Sequence, residues 1–144
     1  MSLYELLDLT ATNYAKIDVL WNFFIWIHLA VLGGLLLVPR RVTLVERLIV
    51  LIAYGAFAYV NRSALADTYA YQGALLAEIT QIKLAAGVVG AGLVDYLANF
   101  HLRERIMWFD YAHPAAAAIV ALAILSANRF LPQRRPSASE AARA

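Results

Sequence analysis

Two carboxylates, a glutamine and a lysine interrupt an otherwise apolar stretch, residues 77–97, AEITQIKLAAGVVGAGLVDYL: they are Glu78, Gln81, Lys83 and Asp95. A charged side chain in hydrocarbon costs about 2.5–3.5 kcal/mol on an insertion scale, and such a group marks a pathway or site by default. A sheltered carboxylate can exchange a proton or bind a cation, which makes Glu78 the leading candidate for such chemistry. At about 100° per residue, Gln81 shares the broad face of Glu78, whereas Lys83 falls on the opposite face. That spacing argues against an ion pair between Glu78 and Lys83. Lys83 reads instead as a snorkelling or structural group, and Asp95 as an ion-pair partner for Arg103 or Arg105.

Other segments offer partners for Glu78. Asn22 and His28 lie in one sector of an apolar run near the N-terminus, with His28 near the middle of that run. Tyr54, Phe57 and Asn61 share a face further on. The expected site is therefore Glu78, Gln81, His28, Asn22 and Tyr54, gathered at the centre of a bundle to bind a cation or relay a proton. The plainer alternative is that these groups form interhelical hydrogen bonds, worth about 0.6 kcal/mol each on average in membranes. His28 in particular reads as a hydrogen-bonded core residue before it reads as a ligand.

The remaining chemistry is mostly negative. The histidines are His28, His101 and His113, and none forms an HxxxH or HExxH spacing, so no metal site is expected. A haem held by His28 and a second histidine is a weak reading, and no cofactor is assigned. There is no cysteine, which excludes disulfides, iron–sulfur clusters and thiol nucleophiles. GVVGAG, residues 87–92, has the wrong spacing and setting for a nucleotide loop. A catalytic role is not favoured.

The elements that must position these residues follow from composition. Of the 144 residues, 62% are apolar and 15% charged, and the mean hydropathy is +0.64. A soluble domain averages about 45–50% apolar and about 25% charged, so the chain belongs to the membrane class, with the lipid bilayer as its first partner. The net charge of +2 is scattered, which gives nucleic-acid binding no support. Residues 19–39 carry no formal charge and are long enough to cross the roughly 30 Å hydrocarbon layer. Thr43 and Glu46 form a capping box that opens a second span, about 44–61. RSALADTYAYQG, residues 62–73, reads as an interfacial loop. A third span lies within 74–100, HLRER (101–105) reads as a turn, and a fourth span covers about 112–130 with Pro114 in its first turn. Within the third span, Ala86 with Gly90 and Gly87 with Ala91 are small-xxx-small pairs that permit close helix approach. Ser2 and Glu5 form another capping box, for a short interfacial helix over residues 3–12.

The expectation is thus an all-α polytopic membrane protein, a four-transmembrane-helix bundle with a short N-terminal interfacial helix. Residues 1–16 form the interfacial segment, 17–131 the bundle and 132–144 a disordered tail rich in Pro, Ser and Ala. Four spans put both termini on one side. The positive-inside tally is nearly balanced, and the PRR loop after the first span favours an extracytoplasmic placement for them, in a bacterial inner membrane. The leading function is a small transporter or channel protomer, a homo-oligomer with its path between protomers. The rivals are a non-catalytic accessory subunit of a larger membrane complex and, more weakly, an intramembrane enzyme or haem protein.

Overall fold

The computed structural model describes residues 2–38, 41–86 and 102–130. It is all-α. Helix α1 spans Leu3–Leu37, α2 spans Leu44–Ala86 and α3 spans Leu102–Phe130. Each is long and apolar enough to cross a membrane, which suggests an integral membrane protein.

The number and bounds of the helices differ from the sequence expectation. The separate interfacial helix over 3–12 and the span over 19–39 are one helix of 35 residues. It starts at the Ser2–Glu5 capping box, where the Glu5 carboxylate accepts from the Ser2 N–H at 2.7 Å and the Ser2 hydroxyl accepts from the Glu5 N–H at 3.3 Å. These bonds hold the Glu5 carboxyl below its ordinary pKa range. No Gly or Pro lies between residues 12 and 19 to stop the helix. The expected loop at 62–73 is also helical. Residues 44–61, 62–73 and the first part of the expected third span form one 43-residue helix, about 65 Å long at 1.5 Å per residue. Three helices, not four, are therefore found among the described residues. Of the expected HLRER turn, residues 102–105 are helical, since Leu102 already begins α3, which puts Pro114 in the helix interior, and His101 lies outside the described residues.

The helices meet through three apolar clusters. Leu6 packs with Leu75 and Ile79 near one end. Ile17, Leu65, Tyr69 and Phe109 form the middle. Tyr54, Val120 and Ile124 form the other end, flanked by Ile27, Val31 and Val50. Low residue numbers of α1 meet high numbers of α2, so these two are antiparallel. Asp18 meets Arg105, and Phe24 stacks on His113, so α1 and α3 run parallel. Leu3 and Phe130 thus lie at opposite ends of the bundle, and the argument for termini on one side, which rested on four spans, loses its basis. In α1 the buried residues Leu6, Thr10, Asn13 and Ile17 alternate spacings of four and three, the heptad rhythm of a coiled coil.

Exposed apolar groups divide the bundle along its length. Apart from Tyr4 and Tyr71, every exposed large apolar side chain among the described residues lies in 19–37, 44–60 or 106–125. These intervals rise about 24–29 Å each, close to the roughly 30 Å hydrocarbon thickness. Charged residues edge this belt at one end: Asp18 pairs with Arg105 at 2.8 Å and Arg62 with Asp110 at 3.7 Å. At the other end stand Arg41, Glu46 and Arg47. Beyond the Asp18 edge, α1 and α2 continue together as a hairpin whose exposed surface is small or polar: Glu5, Asp8, Ala11, Lys16, Asp67, Ala70, Ala74 and Glu78.

Candidate functional site

Of the five residues expected to gather into a site, two meet. His28 and Tyr54 are buried where α1 crosses α2. The His28 Nδ1 lies 2.6 Å from the Phe24 carbonyl oxygen. A carbonyl only accepts, so Nδ1 carries the proton and donates. The bare Nε2 then accepts from the Tyr54 hydroxyl at 2.7 Å. Both ring nitrogens are engaged, and a ligand role for His28 would break one of these bonds.

The other three lie apart. Asn22 is exposed on α1, one turn inside the belt from Asp18, and makes no side-chain hydrogen bond among the described residues. Glu78 and Gln81 are exposed on the hairpin. Glu78 stands 24 residues beyond Tyr54 on the same helix, about 36 Å away. It lies 18 residues beyond Val60, where the apolar belt on α2 ends. Asp95 and the side chains of Lys83 and Arg103 fall outside the described residues. Arg105 pairs with Asp18 and stacks above the Tyr14 ring with its guanidinium carbon 5.5 Å from the centroid.

A different set of polar groups fills the interior, strung along the helix seams. At the hairpin, Asn13 donates to the Thr68 carbonyl at 2.9 Å and to Gln72 Oε1 at 2.8 Å. Gln72 is fully buried, and its Nε2 has no partner among the described residues. One level along, the Trp21 indole N–H donates to the Tyr69 hydroxyl at 2.9 Å. At the belt edge Asn61 joins all three helices: its Nδ2 donates to the Leu20 carbonyl at 3.0 Å, and its Oδ1 accepts from His113 Nε2 at 3.2 Å. The Phe24 ring lies between His28 and His113, with ring centroids 3.8 Å from each. Beside this layer Arg62 donates to the Phe109 carbonyl at 3.2 Å. That bond falls within the turn where Pro114 lacks an N–H for the helix ladder. At the far end Asn128 clamps the backbone of Val42, donating to its carbonyl at 2.8 Å and accepting its N–H at 2.9 Å.

Sequence reasoning missed two buried pairs, Asn13 with Gln72 and Asn61 with His113. The usable signal was the four-and-three spacing of Leu6, Thr10, Asn13 and Ile17, which places polar residues at core positions. The same spacing continues on α2 through Asn61, Leu65, Thr68, Gln72, Leu75 and Ile79.

One open groove is lined by both an acid and a base. It has a volume of about 500 Å³ and lies between α1 and α3 at the belt edge, lined by Trp21, Trp108, Asp18, Arg105 and Tyr69. Among the described residues no three His, Asp or Glu side chains are placed to hold a metal ion. The chain matches no protein-family model, no curated protein and no solved structure. Its function must be read from these residues alone.

Proposed function

We propose that the chain is a non-catalytic accessory subunit of a larger membrane complex, which anchors a rigid helical hairpin above the bilayer. The observation that carries this reading is the division of the 43-residue α2. Its first part bears all its exposed large apolar side chains but Tyr71, and its second part holds α1 through an apolar and amide-bonded seam while its outer face carries mainly alanines with Asp67, Glu78, Thr80 and Gln81. The interior polar groups support the same reading, since they join helix to helix and line no continuous path. The arginine-flanked loop between α1 and α2 favours the cytoplasm, which puts the hairpin on the extracytoplasmic side, in this proposal that of a bacterial inner membrane.

The test is co-purification of the tagged full chain from native membranes, beside Ala11→Arg and Ala74→Arg variants. A stoichiometric heterologous partner, lost from the variants while they still insert, is the expected result. A chain that isolates alone, or as copies of itself only, overturns the proposal. The transport reading makes the opposite demand. If Glu78 binds a transported proton or cation, Glu78→Gln must abolish liposome flux. On the present reading neither protein supports flux.

A further inference from the structure

The belt-edge groove continues into an apolar trough, and the two share Asn22. The trough, about 460 Å³, runs down the exposed side of α1 past Val19, Phe23, Trp26 and Ala30. Asp18 and Arg105 line the groove, each one residue outside the apolar belt, which begins at Val19 on α1 and Ile106 on α3. The pair thus stands at headgroup depth if the belt lies in hydrocarbon, and the trough stands at acyl depth. The inference rests on that bilayer placement, which the proposed function shares.

We propose that this groove and trough bind one zwitterionic phospholipid carrying a primary amine, with its headgroup at Asp18 and Arg105 and an acyl chain along α1. The shared chemistry is a phosphate with an ammonium nearby. Arg105 Nη1 donates to Asp18 Oδ1 at 2.8 Å, and its other N–H groups remain to meet a phosphate. The second carboxylate oxygen of Asp18 accepts from an ammonium. A cation and an anion side by side suit a headgroup of net zero charge better than an anionic one. Tyr69, which lines the groove, accepts from Trp21 and keeps its own hydroxyl proton to donate to a phosphate. Asn22 presents an amide, unpaired among the described residues, inside the apolar belt, and a lipid ester or phosphate oxygen supplies it a partner. The apolar trough commits the site to a lipid over a soluble amine phosphate.

The full chain, purified in detergent with equal amounts of phosphatidylethanolamine, phosphatidylglycerol and phosphatidylcholine of matched acyl chains, is read by native mass spectrometry. One phosphatidylethanolamine per chain is expected, at about tenfold preference over phosphatidylglycerol. Asp18→Asn with Arg105→Gln removes both charges together and should abolish the preference. Asn22→Leu lies on the surface, leaves the core untouched and should weaken retention about fivefold. Equal retention of the three lipids, unchanged retention in both variants, or equal competition by soluble O-phosphoethanolamine overturns the assignment. A single-tryptophan variant keeping Trp26 separates the premise. Quenching by acyl-brominated lipid, equal in phosphatidylethanolamine and phosphatidylglycerol bilayers, reports belt insertion whatever the headgroup, and its absence overturns the placement and the site together.

Discussion

Asn61 shows how much one amide can connect. Its two bonds reach α1 through the Leu20 carbonyl and α3 through His113, at a position only 5% exposed. Replacing it with leucine leaves the buried His113 N–H without an acceptor, and a stranded buried donor costs about 1–3 kcal/mol. Asn61→Leu should therefore lower the melting temperature in detergent, read by circular dichroism. Asn22→Leu, an exposed change of the same chemistry, should stay within about 0.5 kcal/mol. Equal melting of the two variants would mean that Asn61 does not hold the helices together. Glu5 acts at the opposite extreme of exposure. Its folded pKa is depressed by the Ser2 backbone and hydroxyl, so its contribution is present above the ordinary carboxylate range and is lost as pH falls through the folded value. The protection of the first-turn amides, relative to their intrinsic exchange rates, should then fall at acid pH in the wild type, while a Glu5→Gln variant shows no such dependence.

Among the elements, the hairpin of α1 and α2 makes the clearest demand. Its seam is apolar at Leu6, Leu75 and Ile79 but carries Asn13 against Gln72, with the Gln72 Nε2 unpartnered among the described residues. A buried polar pair in a coiled coil fixes register at a cost in stability. Asn13→Leu alone strands both ends of Gln72 and should destabilise by about 1–3 kcal/mol. The double change Asn13→Leu with Gln72→Leu should recover that loss or exceed it, giving a coupling of about 0.5–3 kcal/mol in a double-mutant cycle. Additive losses would show that the two amides do not act as a pair. At the other end of the bundle, Asn128 does for the loop at Val42 what Asn61 does for the helices: one side-chain amide satisfies both backbone groups of a residue outside the ladder.

For the molecule as a whole, the decisive quantity is where the bilayer stops. The belt of exposed apolar side chains ends near Val19, Val60 and Ile106, yet α1 and α2 run on beyond it. Because the chain lacks cysteine, single cysteines can map the boundary without background. Ala11→Cys and Ala74→Cys should react with a membrane-impermeant maleimide in proteoliposomes, both from the same side. Ile52→Cys and Leu122→Cys, in the middle of the belt, should stay unlabelled. Protection of Ala74→Cys would bury the hairpin in lipid and remove the basis of the anchoring role.

The helical class, the membrane character and the two capping boxes were legible in the residues themselves, because hydropathy and capping act locally. His28 as a hydrogen-bonded core residue was legible for the same reason: a histidine midway along an apolar run needs partners nearby, and Phe24 is one turn away. The helix count was not legible. The polar stretch 62–73 has the composition of a loop, and only its packing of Leu65, Tyr69 and Gln72 against α1 shows that it continues the helix begun at Leu44. For Glu78, composition reports how polar the segment is but not which of its faces is covered. That choice belongs to the tertiary structure, where α1 covers one side of α2 and leaves Glu78 exposed on the other.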